Sequence, residues 1–242
     1  LVVMAKTQAM TFEYSGAPQR SPEWFKIRLG KVTASRLVDW LAVSKAKNTP
    51  GKPLKAREDY EKELMFERQF GVSYDNFITS AMQEGVDYED FARRQYERET
   101  GNLVDECGCW YNDLFVASPD GVVGKEGLLE IKVLRDNSFT DVLMNGVPDK
   151  HWKQIQGQLW ASKRKWCDYV AMNLNTKKFV IIRVFPDPEF FEWLELTIPE
   201  RLVAEKFALT DVHDIVGEIP AVESGLQIQS VESIKIEEKI SW

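Results

Sequence analysis

Apolar positions recur at helical spacing over residues 21–29, where Gly30 stops them, over Leu37 to Val43, over about 57–70, and over about 80–99, ending at Gly101. Thr33-Ala34-Ser35 ahead of Leu37 supply helix-start residues. Residues 44–56, rich in Lys, Pro and Gly, read as a mobile loop. Beyond Gly101 the period changes. Residues 107–117, 121–124 and 127–134 have strand lengths and are joined by short turns. A helix over about 149–163 follows, carrying Trp152, Ile155, Leu159 and Trp160. Strands at 167–174 and 178–185 flank a turn at Asn175-Thr176. A last helix starts near Pro188 and is expected to break at Pro199. No internal repeat is visible. Helices, a β-meander, one crossover helix and two more strands predict an α/β (α+β) domain with a central mixed β-sheet flanked by helices. The expected division is an N-terminal extension at 1–20, one domain at 21–216 and an acidic tail at 217–242.

One predicted strand violates its own pattern. Within Leu128–Leu134 the alternation of side chains puts Glu130 and Lys132 on one face and Ile131 and Val133 on the other. Two buried charges cost several kcal/mol unless they find partners. Asp120 lies just before the turn at Gly124 to Gly127, so a hairpin return can bring it beside them.

Phosphodiester hydrolysis gives such a trio a use. It needs neutralised charge, an activated water and a stabilised leaving oxygen, and Mg²⁺ bound by hard oxygen ligands supplies much of this. Asp120 and Glu130 make half of such a site, with the carbonyl of Ile131 at hand as a further oxygen ligand. Lys132 can hold or help deprotonate the attacking water, or contact the scissile phosphate, with a pKa modestly lowered by burial and held by the acids. The alternative is a surface hairpin whose charges face water. Glu89, on the helix around 80–99, can complete a metal shell or be an ordinary exposed helix charge. Gln154 and Gln158 lie at i and i+4 on one helix face, where they either meet the site or point to solvent.

Composition bounds the partners. The net charge is −7 over 242 residues, yet residues 26–57 hold nine Lys or Arg against one acid, Asp39. That segment is either a local phosphate track or a solvated Lys-rich loop. A hydrophobic share of 44% with eight Trp indicates a packed core. Three Cys, two of them as C-x-C, make a poor disulfide framework and a poor zinc site, and read as free thiols in a cytoplasm. No apolar run approaches the roughly 20 residues of a membrane span, and LVVMAKTQAM lacks the layout of a secretory signal.

Three blocks then carry a resemblance: EWFKIRLGKVTAS at 23–35, ASPDG with LLEIKV across 117–133, and QIQGQLW at 154–160, with EGVDYEDFAR at 84–93 between them. In this order and spacing they resemble the bacteriophage lambda exonuclease, or YqaJ-type viral recombinase, branch of the PD-(D/E)xK nucleases, over roughly residues 21–185. The resemblance implies a restriction-endonuclease-like core and a 5′→3′ exonuclease on linear double-stranded DNA. It implies release of 5′-mononucleotides, a 3′ single strand left for a phage annealing protein, Mg²⁺ or Mn²⁺ as cofactor, and a homotrimeric ring around DNA in a bacterial host cell. It also implies roles: Asp120, Glu130, the Ile131 carbonyl and Glu89 as metal ligands, Lys132 as catalytic lysine, and Gln154 beside the nucleophile. Arg28, Ser35 and Thr33 would hold the 5′-phosphate, and Met82 would wedge the duplex end. An anion pocket at the start of a helix after Thr33 or Ser35 also makes physical sense by itself, though those hydroxyls can equally be plain caps. The chain departs from the family where Val133-Leu134 replaces the Cys-Pro that often follows the lysine. Two other readings stand beside the exonuclease: an endonuclease or resolvase with the same metal core, which would cut closed circles, and a non-catalytic DNA-end-binding recombination protein, which would cut nothing.

Overall fold

The computed structural model describes residues 10–74 and 80–204, with the backbone alone for 80–87 and 200–204. The helices appear where the apolar period placed them. Helix α1 (Pro22–Arg28) starts on Ser21, whose Oγ accepts from Trp24 N at 3.2 Å, and Pro22 sits where no N–H is needed. Helix α3 (Lys55–Phe70) ends on Gly71 in the left-handed conformation, φ 66°. Helix α4 spans Ser80–Thr100 and helix α6 spans Asp149–Ser162. Between α1 and α3 the expected helix is a 3-10 turn, Ala34–Arg36, running into the four-residue helix α2 (Leu37–Trp40). Residues 44–54 are not a free loop: Ser44 N bonds Lys52 O at 2.8 Å and Leu54 N bonds Ala42 O at 3.0 Å.

The strands form two mixed sheets rather than the single one expected. Strands β1 (Glu13–Ser15), β4 (Cys109–Tyr111), β5 (Phe115–Ala117) and β2 (Val32–Thr33) make a four-stranded sheet in that order, with β2 parallel to β5. The predicted strand 107–117 is thus a tight hairpin, turned where Asn112 Oδ1 accepts from Leu114 N and Phe115 N. The second sheet runs β3 (Val104–Asp105), β6 (Gly121–Val123), β7 (Gly127–Leu134), β8 (Trp166–Asn173), β9 (Phe179–Val184). Only β7 and β8 are parallel, so their connection must cross over the sheet. It does so with two helices, α5 (Asp136–Asn145) and α6, where one was expected. Helix α7 (Pro188–Ala204) continues through Pro199, because Leu194 and Ile198 are buried in a core cluster ahead of it.

Three core clusters hold these layers. Leu129, Ile131 and Val170 pack under Ala92 and Tyr96 of α4 on one face of the five-stranded sheet. Leu128, Tyr169 and Ala171 pack under Ile155 and Leu159 of α6 on the other. Trp160, on the far side of α6, joins Leu37, Trp40, Leu64 and Phe115 around the four-stranded sheet. Each fully buried Leu contributes about 1.5–3 kcal/mol. Helix α6 therefore lies between two hydrophobic layers, and residues 154–161 are all buried. Gly157 permits this: a Cβ there would meet Leu37 Cδ1 at 2.7 Å and Phe115 Cζ at 3.0 Å. The polar side chains of this helix survive burial by finding partners. Gln156 donates to Phe185 O and accepts from Asp187 N, both at 2.9 Å. On the opposite face of the sheet, buried Asp168 takes a bidentate pair from Arg183 at 2.8 and 2.9 Å and a hydrogen bond from Tyr96 Oη at 2.8 Å.

Candidate active site

Strands β6 and β7 pair antiparallel with Gly121 opposite Leu129, so Asp120 returns beside Glu130 and Ile131. Asp120 N donates to Leu129 O at 3.0 Å, and Ile131 N donates to Asp120 Oδ2 at 2.6 Å. Glu130 is wholly buried, pointing at α6 rather than at water. Its Oε1 accepts from Lys132 Nζ and from Gln154 Nε2, the latter at 2.6 Å. Its Oε2 accepts from Gln158 Nε2 at 2.6 Å. The predicted trio thus converges, and both glutamines face it. The surface-hairpin alternative is overturned by the burial of Glu130.

The electrostatics differ from the sequence expectation. Burial lowers the Lys132 pKa, but the carboxylates of Glu130 and Asp120 outweigh it and hold the ammonium charged well above the usual lysine range. Burial, then Glu130, pushes the Asp120 carboxyl well above its ordinary value; Glu89 adds to the rise and Lys132 opposes it. Three carboxylates therefore share one field. Glu89 and Asp120 line the same cleft of about 250 Å³, together with Arg20, Arg93, Glu106 and Cys107. Glu89 is held by Arg20 at 3.0 Å and lies 3.8 Å from Arg93. Among the described residues no three His, Cys, Asp or Glu side chains gather tightly enough to enclose an ion by themselves.

The donor set nevertheless fits a hard divalent cation. It is all oxygen, its carboxylates crowd closely enough to raise the Asp120 pKa, and among the described residues Asp120 accepts a hydrogen bond at one carboxylate oxygen only. Gln158 Oε1 is a buried acceptor beside this cluster with no partner among the described residues, as a site that takes in a water or hydrated ion would present. The remaining coordination would have to come from the Ile131 carbonyl, water and phosphate.

A second cleft, of about 460 Å³, is lined by Trp24, Arg28, Lys31, Thr33, Ser35, Arg36, Tyr60 and Glu63 among others. It brings Arg28, Thr33 and Ser35 together. Thr33 Oγ1 and Ser35 Oγ lie 3.1 Å apart, and the Arg28 guanidinium stacks 4.1 Å over the Trp24 ring. Burial lowers the Arg28 pKa, with Tyr60 the largest opposing influence. Helix α2 is too short to lend a macrodipole, and Thr33 N is spent on Tyr60 Oη at 3.0 Å. The anion-binding capacity here is therefore in side chains, not in a helix start. Within the basic segment Arg36 pairs with Glu63 and Asp39 and Arg57 with Glu61, so part of its charge is met by the protein itself.

The two clefts are joined through Trp24 and Ser118, which the sequence did not single out. Trp24 Nε1 donates to Ser118 Oγ at 3.0 Å, and Gln158 Nε2 reaches Ser118 O at 3.4 Å. His151, one turn before Gln154 on α6, is buried and its Nδ1 lies 2.8 Å from Tyr169 Oη. Its i−3 spacing from Gln154 was the available signal. The side chain of Met82, the expected wedge, lies outside the described residues, as does the acidic tail. All three cysteines are free and buried, and among the described residues no helix is long and apolar enough to cross a membrane.

A profile of YqaJ-like viral recombinase domains matches residues 23–165. The fold is similar to an alkaline exonuclease (LHK-Exo) from Laribacter hongkongensis, with 31% identity and TM-score 0.70 over 83% of this chain and all of that one. A structure of LHK-Exo in complex with dAMP aligns with 30% identity and TM-score 0.71 over the same shares. A phage-related exonuclease from Haemophilus somnus 129PT shares the fold at 16% identity and TM-score 0.58, over 72% of this chain and 91% of that one. The two sheets and their helices are thus the restriction-endonuclease-like architecture. No curated protein sequence matches significantly.

Proposed function

The chain belongs to the YqaJ-like viral recombinase family, and on that premise we propose that it is a metal-dependent 5′→3′ exonuclease on linear double-stranded DNA. One observation carries the polarity. The Arg28, Thr33 and Ser35 cleft is tied through Trp24 and Ser118 to the strand end that bears Asp120. A 5′-terminal phosphate held in the first would set the scissile bond at a fixed distance along the strand, in the second. The dAMP complex of LHK-Exo agrees with a mononucleotide product.

Asp120, Glu130, the Ile131 carbonyl and Glu89 would hold Mg²⁺ or Mn²⁺. When bound, the ion would neutralise charge on the phosphoryl oxygens and acidify a water. The protein's own share is orientation and charge. Gln154 and Gln158 fix both oxygens of Glu130, so that it cannot rotate away. Lys132, kept as ammonium, offers N–H donors where negative charge develops. The same reading makes the working form a homotrimer around DNA that hands a 3′ single strand to an annealing protein. A stable monomer by sedimentation at micromolar concentration would remove the trimer.

The decisive experiment digests linear duplexes with 5′-phosphate or 5′-hydroxyl ends, beside closed circles, with and without Mg²⁺. Mononucleotides from phosphorylated linear ends only, with Mg²⁺ only, are expected. Cutting of closed circles would replace this reading with the endonuclease, and metal-replete binding without cutting would replace it with the end-binding protein.

A further inference from the structure

The most telling unassigned side chain is Arg20. Its Nη2 lies 3.0 Å from Glu89 Oε2, and it lines the same cleft as Glu89 and Asp120. Its backbone is held on both sides. Gln19 Nε2 donates to Pro119 O at 2.6 Å, Ser21 N bonds Pro18 O at 3.0 Å, and Ser21 caps α1. Arg20 itself adopts φ 69°, which is uncommon for a residue with a side chain. The Cα is thus fixed one residue from the contact to Pro119, the neighbour of Asp120. The side chain, by contrast, is half exposed, at 50%.

Arg93, the other cation near Glu89, differs in each respect. It is 15% exposed, belongs to the same helix, and is engaged by Glu106 at 2.9 Å. Arg20 is therefore the cation of the pair that can leave. A guanidinium 3.0 Å from Glu89 Oε2 repels a divalent ion brought to the same carboxylate, so the two compete for it. The site meanwhile carries three carboxylates in one field and a buried orphan acceptor at Gln158 Oε1.

We propose that Arg20 is a built-in counter-cation, a positioning residue that orients Glu89 toward the cleft in the metal-free protein and yields it to the divalent ion. Metal loading at Glu89 is thereby set against displacement of Arg20. This rests on the metal reading of the site given above.

The test is calorimetric titration of Mn²⁺ into the DNA-free full chain. Arg20→Ala is expected to tighten Mn²⁺ binding about two- to five-fold, the range set by an exposed ion pair. Arg20→Lys should return the affinity toward wild type. Combined with Glu89→Gln, Arg20→Ala should change nothing, because the contact it competes through is gone. Arg20→Gln guards against an effect of lost side-chain bulk and should behave as Arg20→Ala does. Unchanged or weaker binding in Arg20→Ala, with Asp120→Asn clearly impaired, would overturn the counter-cation and leave the metal site standing. Undiminished Mn²⁺ binding in Asp120→Asn would overturn both.

Discussion

The indole N–H of Trp24 donates to Ser118 Oγ at 3.0 Å, and this bond couples the cationic cleft to the acidic one. Trp24 also carries the Arg28 guanidinium on its ring. Trp24→Phe keeps an aromatic face but deletes the donor. The ratio of digestion rates on 5′-phosphate over 5′-hydroxyl ends should fall about three- to ten-fold, while stability changes by roughly 1 kcal/mol, the worth of one net hydrogen bond. An unchanged ratio would show that the two clefts work independently.

Lys132 and Glu130 form an ion pair in which the carboxylate is wholly buried. Lys132→Met should slow phosphodiester cleavage by about 10²- to 10⁴-fold. Gel-shift affinity for duplex ends should stay within a few-fold, since the second cleft is untouched. Full activity would remove Lys132 from the mechanism.

Gly157 lets α6 approach Leu37 and Phe115. Gly157→Val should overpack that contact and cost about 1–3 kcal/mol in denaturant unfolding. Gly157→Ala should cost less, because roughly 1 kcal/mol of helix propensity is regained. Equal stability of wild type and Gly157→Val would mean the layers can separate freely.

His151 gives a signed pH dependence. Burial, then Lys132 and Lys150, push its imidazole pKa down to about 3. The folded state keeps it neutral, while the unfolded chain protonates it below its ordinary value of roughly 6.5. Between about pH 6.5 and 3 the unfolded state binds more protons, so stability falls as pH falls, by up to about 1.4 kcal/mol per unit. Wild type should lose more stability than His151→Gln between pH 7 and 4.5. Parallel losses would show that His151 titrates normally.

The convergence of these side chains was legible because it follows from short-range rules. Strand alternation set Glu130 and Lys132 on one face, a turn set Asp120 across from them, and helical spacing aligned Gln154 with Gln158. What escaped was tertiary. Strands β2 and β3 have two residues each and β1 three, too few to show a period. Helix α5 buries only Phe139 and Val142, so its apolar stripe is thin. The Lys132 charge state was misjudged because the acids were expected only to temper the effect of burial, whereas Glu130 and Asp120 together outweigh it. Arg20 left no local mark at all, since its partner Glu89 is 69 positions away.

Helix α6 has one more implication. Over residues 154–161 it has neither a wet side nor a spare residue and cannot drift: Gly157 and Gln158 sit side by side, one welding the layers and the other holding Glu130. Attempts to harden this enzyme against heat should therefore look to its periphery, because here robustness and turnover are written in the same letters.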